Sequence, residues 1–118
     1  MKYMLLIYQD EMALDEAYRQ ACYGESTQLA NDIAAKGQYL GASPLRPTAS
    51  ATSVRVRDGK RMVTDGPFAE TREQLGGYYL VDVANLDQAI DIAARIPGAR
   101  NGTVEIRPVV ELQGLPEE

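Results

Sequence analysis

Carboxylates, phenols, guanidinium groups and a single thiol are the side chains of this sequence that could do chemistry. The most sharply directed of them is Asp65, in the run Thr64-Asp65-Gly66-Pro67-Phe68. Gly66 tolerates a positive φ and Pro67 has its φ locked near about −65°, so the acid sits on a stiff loop beside the chain's only phenylalanine. A carboxylate aimed into a dry interior has a raised pKa and could act as a general base near neutral pH. The plainer alternative is a tight turn in which Asp65 caps its own backbone while Phe68 plugs the core. Asp10 and Glu11 follow the first apolar run, where chain entering a helix often lines a site; solvated acids explain them equally. Tyr8, Tyr78 and Tyr79 could stack on a ligand or hydrogen-bond to it, and as strand residues they serve a core just as well. Arg72 stands between Glu70 and Glu73 in a patch that reads as a solvated face. Arg46, Arg55, Arg57 and Arg107 could hold an anion, with water-facing hairpin arginines as the default.

What is missing narrows the chemistry further. The sequence has no histidine, which removes Ser-His-Asp and Cys-His nucleophile systems and His-based zinc, copper and iron sites. Cys22 is the lone cysteine, so neither an intrachain disulfide nor a multi-thiolate metal site can form; it reads as a small apolar residue in a reducing compartment. Neither a P-loop nor a dinucleotide-binding glycine pattern occurs. Accordingly no metal and no cofactor is expected.

The chain has 118 residues, which suits a single domain spanning 1–118. With 12 basic and 17 acidic side chains the net charge is −5, unfavourable for nucleic acid and for anionic membrane. The apolar run from Met4 to Tyr8 breaks at Gln9-Asp10, too soon for a signal peptide or a membrane span, and a cytoplasmic location is expected.

These residues need elements to position them. Lys2 to Tyr8 reads as a strand with apolar residues of both parities. Asp15 is a good N-cap for a helix that runs to Gly37, with a weak point at Gly24 and a packed stripe of Ala30, Ile33, Ala34 and Gly37. A short strand, Tyr39 to Ala42, is expected to end before Pro44 and Pro47, and Pro44 to Ala51 reads as a surface loop. Ser53–Arg57 and Lys60–Thr64 flank Asp58-Gly59, which predicts a β-hairpin with a type I′ turn. A charged, helix-tolerant patch covers Ala69 to Gln74, and a strand covers Tyr78 to Val83. Asn85 and Gln88 open a second helix whose packed face is Leu86, Ile90, Ala93 and Ile96, stopped by Pro97-Gly98. Thr103 to Arg107 forms the last strand, with Val104 and Ile106 inward and Pro108 confining it to an edge or an end; the tail from Glu111 to Glu118 is loose.

The order β-α-β, hairpin, β-α-β predicts an α+β fold of ferredoxin-like plan with helices on one sheet face. Large apolar residues such as Met4, Leu6, Tyr8, Tyr78 and Leu80, or their alternates, are then left for the other face. Five such side chains represent roughly 7–15 kcal/mol of burial, comparable with a small domain's net stability. A homodimer with its sheets face to face would shelter them.

The run from Val63 to Asp82, preceded by Ser53–Lys60 and followed by Ala93–Ala99 and Thr103–Val109, resembles the DGPF branch of the YCII-related family. The opening Met1–Tyr8 fits as well, so the likeness reaches from Met1 to about Val110. The resemblance implies a dimeric α+β barrel. In YCII-like relatives a histidine of the first helix and an aspartate after the first strand converge on a pocket. The aspartate position looks like Asp10, whereas the histidine position falls near Ser26, so that acid–base pair is incomplete here. The resemblance also implies a tie to extracytoplasmic-function sigma factors, beside which such proteins are often encoded.

The leading expectation is a small-molecule pocket between sheet and helices, in a cofactor-free enzyme with Asp65 or Asp10 as base. Tyr8, Ser26, Phe68, Arg72 and Tyr79 would contact the ligand. A rival reading is a non-catalytic regulatory module in which the Asp65 loop contacts another protein. In a third, the loop only braces the dimer.

Overall fold

Alternation along one strand organises the molecule. In the computed structural model, which describes residues 1–116, β1 spans Lys2–Gln9, and its odd residues Tyr3 and Leu5 are buried, Leu5 completely. Successive side chains of a strand point to opposite faces, so Met4, Leu6 and Tyr8 lie on the other side. Both neighbours of β1 are antiparallel: β5 (Gln74–Asp82) on one flank and β6 (Thr103–Pro108) on the other. β2 (Tyr39–Pro44) pairs outside β5, which gives the order β2-β5-β1-β6. The two strand–helix–strand units are thus interleaved, each splitting the other.

α1 (Glu16–Ala35) and α2 (Leu86–Arg95) pack on the odd-numbered face of β1. Leu29 and Ile33 of α1 and Ala89, Ile92 and Ala93 of α2 join Tyr3, Leu5, Tyr79, Val81, Val83 and Ile96 in one core. Helix starts follow their predicted chemistry. The Asp15 carboxylate accepts the Tyr18 N–H at 2.7 Å, and Asn85 accepts the Gln88 N–H at 3.0 Å while Gln88 returns to the Ala84 N–H. Ion pairs Asp32–Arg95 and Glu25–Arg100 then tie α1 to α2 and to the single turn α3 (Gly98–Asn101).

Met4, Leu6, Tyr8, Tyr78 and Leu80 belong to no part of that core. Register places Met4 opposite Leu80 and Leu6 opposite Tyr78, so they form one continuous half-buried stripe on the far face. The second apolar face expected from the sequence is present in the chain.

β3 (Thr52–Arg57) and β4 (Lys60–Asp65) make a separate two-stranded sheet. Its turn has φ of 53° at Asp58 and 74° at Gly59, as a type I′ hairpin requires. Val54, Val56 and Val63 share one face of this arm; Arg55, Arg57, Lys60 and Met62 share the other, and all seven are exposed. The arm extends the molecule: its radius of gyration is 15.9 Å, against about 13.5 Å for a compact domain of this length.

Several expectations need correction. α1 passes through Gly24 unbroken, and its packed residues are Leu29, Ile33 and half-buried Ala30; Ala34 and Gly37 face solvent. Leu86 and Ile90 of α2 are exposed, because the helix presents its alanines to the sheet and turns the larger pair to its flank. β2 runs on through Pro44, which an edge strand tolerates, and the following loop contains a 3₁₀ turn at Thr48–Ser50. Ala69 to Glu73 holds no helix, and β5 starts at Gln74, not Tyr78. Gly76-Gly77 does not interrupt it: the register shifts opposite Ile7 and Tyr8, leaving Gly76 as the extra residue of a bulge. α2 stops as expected, but the chain makes one more turn, α3, before β6. Phe68 plugs no core and is 80% exposed. Of the tail, Glu111 pairs with Lys2 at 3.2 Å, while Glu117 and Glu118 lie outside the described residues.

Candidate functional site

The inward stripe of α1 reads Cys22, Ser26, Leu29, Ile33, at helical spacing of four, three and four. Its C-terminal half carries large side chains that fill the space above the sheet. Its N-terminal half carries a thiol and a hydroxymethyl group, and the sheet opposite offers Ala42, Gly76 and Gly77. Small side chains meeting small side chains leave a cleft of about 150 Å³. α3 closes one end: Gly98 packs so tightly on β1 that a Cβ there would lie 2.5 Å from Ile7 Cγ2. Close approach also fixes Gly77, where a Cβ would lie 3.0 Å from the Ser43 carbonyl oxygen.

The cleft is walled by Ile7, Ile96 and Pro97 on its apolar side and by Gln9, Tyr23 and Tyr79 on its polar side, while Ser43 and Tyr78, whose side chains alternate to the far face, border it through their backbone. No carboxylate, ammonium or guanidinium group lines it. The Tyr79 phenol donates to the Ser26 carbonyl oxygen at 2.6 Å, and burial pushes its pKa up more than this hydrogen bond lowers it. It therefore stays a neutral donor and locks β5 to α1. A smaller hollow of about 50 Å³ adjoins the first and shares Gln9, Cys22, Tyr23 and Gly76 with it. Glu11 and Arg19 line this second part.

Of the residues singled out from sequence, the cleft brings together Ser26 and Tyr79. Asp10 lies outside it, and its carboxylate accepts the Met12 N–H at 3.0 Å, capping a 3₁₀ turn. Tyr8 sits on the far face of the sheet, where its hydroxyl donates to Glu105 at 3.2 Å; burial and the Glu105 charge raise its pKa. Asp65, Phe68 and Arg72 occupy the base of the arm and the loop after it, all exposed. That loop is braced through its backbone: Gly66, at φ 102°, donates its N–H to the Ala51 carbonyl at 2.7 Å, and the Ser53 hydroxyl donates to the Gly66 carbonyl at 2.7 Å. Among the described residues the Asp65 carboxylate accepts no hydrogen bond, and no three acidic or thiol groups converge as a metal site would need.

Sequence reasoning missed Gln9, Tyr23 and Gly98, took Cys22 for simple core, and never considered Arg19. A readable signal existed: Cys22 and Ser26 continue the Leu29–Ile33 stripe with undersized side chains. Of the two neighbouring acids, Glu11 is better held than Asp10, since both of its oxygens accept from Thr48 at 2.8 Å.

Among the described residues no helix is long and apolar enough to cross a membrane. A family model described as the YCII-related domain matches residues 1–113. An uncharacterised protein of Rhizobium meliloti (strain 1021) is 36% identical over 118 residues, spanning 92% of this chain and 92% of that protein. The chain therefore belongs to the YCII-related family, whose domain takes in every strand and helix described above.

Proposed function

We propose that the protein is a homodimer, paired through the bare face of its sheet, that binds a small molecule in the cleft between α1 and the sheet. The observation that carries the reading is the cleft itself: concave, walled by apolar and hydroxyl groups, and free of charge in its larger part. Asp10 and Asp65 stand outside it in the protomer. Recognition by shape and hydroxyl groups is thus better supported than carboxylate acid–base catalysis. The stripe of Met4, Leu6, Tyr8, Tyr78 and Leu80 supports the dimer, because pairing removes it from water on both copies at once.

Two measurements test this. Thermal-shift screening of a metabolite library should find compounds that stabilise wild type and Asp65→Asn alike but not Ser26→Leu, which fills the cleft. No stabilising compound for wild type would remove the pocket reading. For the dimer, light scattering should give twice the chain mass for wild type and a single mass for Leu80→Lys. A monodisperse, stable wild-type monomer at micromolar concentration would end that part of the proposal.

A second reading rests on a different observation. The arm exposes Val54, Val56, Met62 and Val63, and Phe68 lies exposed in the loop that leaves it. A regulatory module would use this surface to contact a protein, an extracytoplasmic-function sigma factor being the one the resemblance implies. Copurification with such a factor, lost on Asp65→Ala and Phe68→Ser, would favour this reading over the first.

A further inference from the structure

The two parts of the cleft differ in charge, and the difference specifies a ligand. The larger part offers an apolar wall with uncharged polar groups; the smaller adds Glu11 and Arg19. These two are not equally available. The Glu11 carboxylate is consumed by the Thr48 N–H and hydroxyl, one to each oxygen at 2.8 Å, which pins the loop after β2. The Arg19 side chain is only 24% exposed, yet among the described residues its one ion pair is a 3.5 Å contact with Glu16 on the same helix, itself 70% exposed. A guanidinium has five N–H donors in a rigid fork suited to a carboxylate. One long contact to a solvated partner leaves most of that capacity unused.

Resting on the pocket reading above, we infer that the cleft takes a small monocarboxylic acid, its ring or branched body between Cys22, Ser26 and Tyr79 and its carboxylate on Arg19. The volumes agree with that class: an apolar cavity of about 150 Å³ is known to admit a benzene ring, and the adjoining 50 Å³ is room for a carboxylate. Cys22 and Tyr23, common to both parts, form the neck through which such a molecule would pass. The Gln9 amide, which lines both parts, adds a site for a polar substituent. A neutral analogue would keep the body contacts and forfeit the charge-assisted hydrogen bonds to Arg19.

Isothermal titration with phenylacetate and with phenylacetamide, its neutral isostere, separates the parts. Wild type should bind the acid at least about tenfold more tightly than the amide, the equivalent of about 1.4 kcal/mol. Arg19→Gln should erase that preference while binding the amide as wild type does, and Arg19→Lys should restore part of it. Arg19 is in the first turn of α1 and outside the core cluster, so the variants should keep the wild-type circular dichroism spectrum. Ser26→Leu should lose both compounds. If acid and amide bind wild type equally, or Arg19→Gln keeps the preference, the anion site is wrong while the pocket survives. If neither compound binds wild type at millimolar concentration, the acid inference is overturned. The library screen then decides on the pocket independently.

Discussion

The two halves of α1 meet the same sheet with opposite results. Leu29 and Ile33 are 2% and 1% exposed and close the interior completely. Cys22 and Ser26, on the same stripe one and two turns earlier, stand over Gly76 and Gly77 and leave an opening. The helix is one unbroken element, and the half with the opening is the one that carries the smaller side chains, over the bulge at Gly76. A site can thus arise within regular structure by omitting volume at matching positions on two elements, and its walls are then as rigid as the core beside them.

Exchanging the characters of the halves is the strongest way to break the comparison. Ile33→Ala should open a second void in the filled half and cost about 2–5 kcal/mol, measured by urea denaturation with the slope unchanged. A cost under about 1 kcal/mol would mean that the filled half is not close-packed. Ser26→Leu fills the open half, and its stability should stay within about 1.5 kcal/mol of wild type, because the added volume has somewhere to go. A larger loss would show that the cleft is narrower than described. Tyr79→Phe removes the bond to the Ser26 carbonyl that holds the halves in line, and should cost about 1 kcal/mol.

The smallest effects are pH-dependent, and they run in opposite directions. Tyr79 holds its proton more tightly folded than unfolded, so its contribution is intact below the unfolded phenol pKa. It fades as pH rises through the higher folded value, and Tyr79→Phe should flatten this alkaline loss in thermal melts. The Arg95 guanidinium keeps the Asp32 carboxyl below its usual range, as Arg100 does for Glu25. Their contribution is present above the unfolded carboxyl pKa and declines as pH falls through the lower folded one. Asp32→Asn should show a shallower decline between wild-type melts in weak and stronger acid.

The sequence disclosed local chemistry better than volume. Asp15 and Asn85 cap their helices, Asp58-Gly59 turns the hairpin, and alternation in Lys2–Gln9 announces two apolar faces. Each of these depends on near neighbours in the chain. The α2 face was misjudged because Leu86 and Ile90 share the period of the buried residues. Only the closeness of helix to sheet decides that alanines go inward. Gly76-Gly77 read as a break, yet the ladder with Ile7 absorbs it as a bulge. The Asp65 loop drew attention by composition, whereas the cleft lies elsewhere, at residues whose meaning is their small size relative to partners distant in sequence. Ser26 and Tyr79 were named for other reasons, and the structure joins them.

The excursion that carries the arm leaves and rejoins the sheet at neighbouring points, since the Leu45 N–H bonds to the Gly76 carbonyl at 2.8 Å. The arm itself, Thr52–Asp65, could therefore be excised and bridged by a short linker while every strand of the four-stranded scaffold keeps its partner. Nature has the same freedom: this segment can lengthen, shrink or acquire new specificity while the body that carries the cleft is inherited intact.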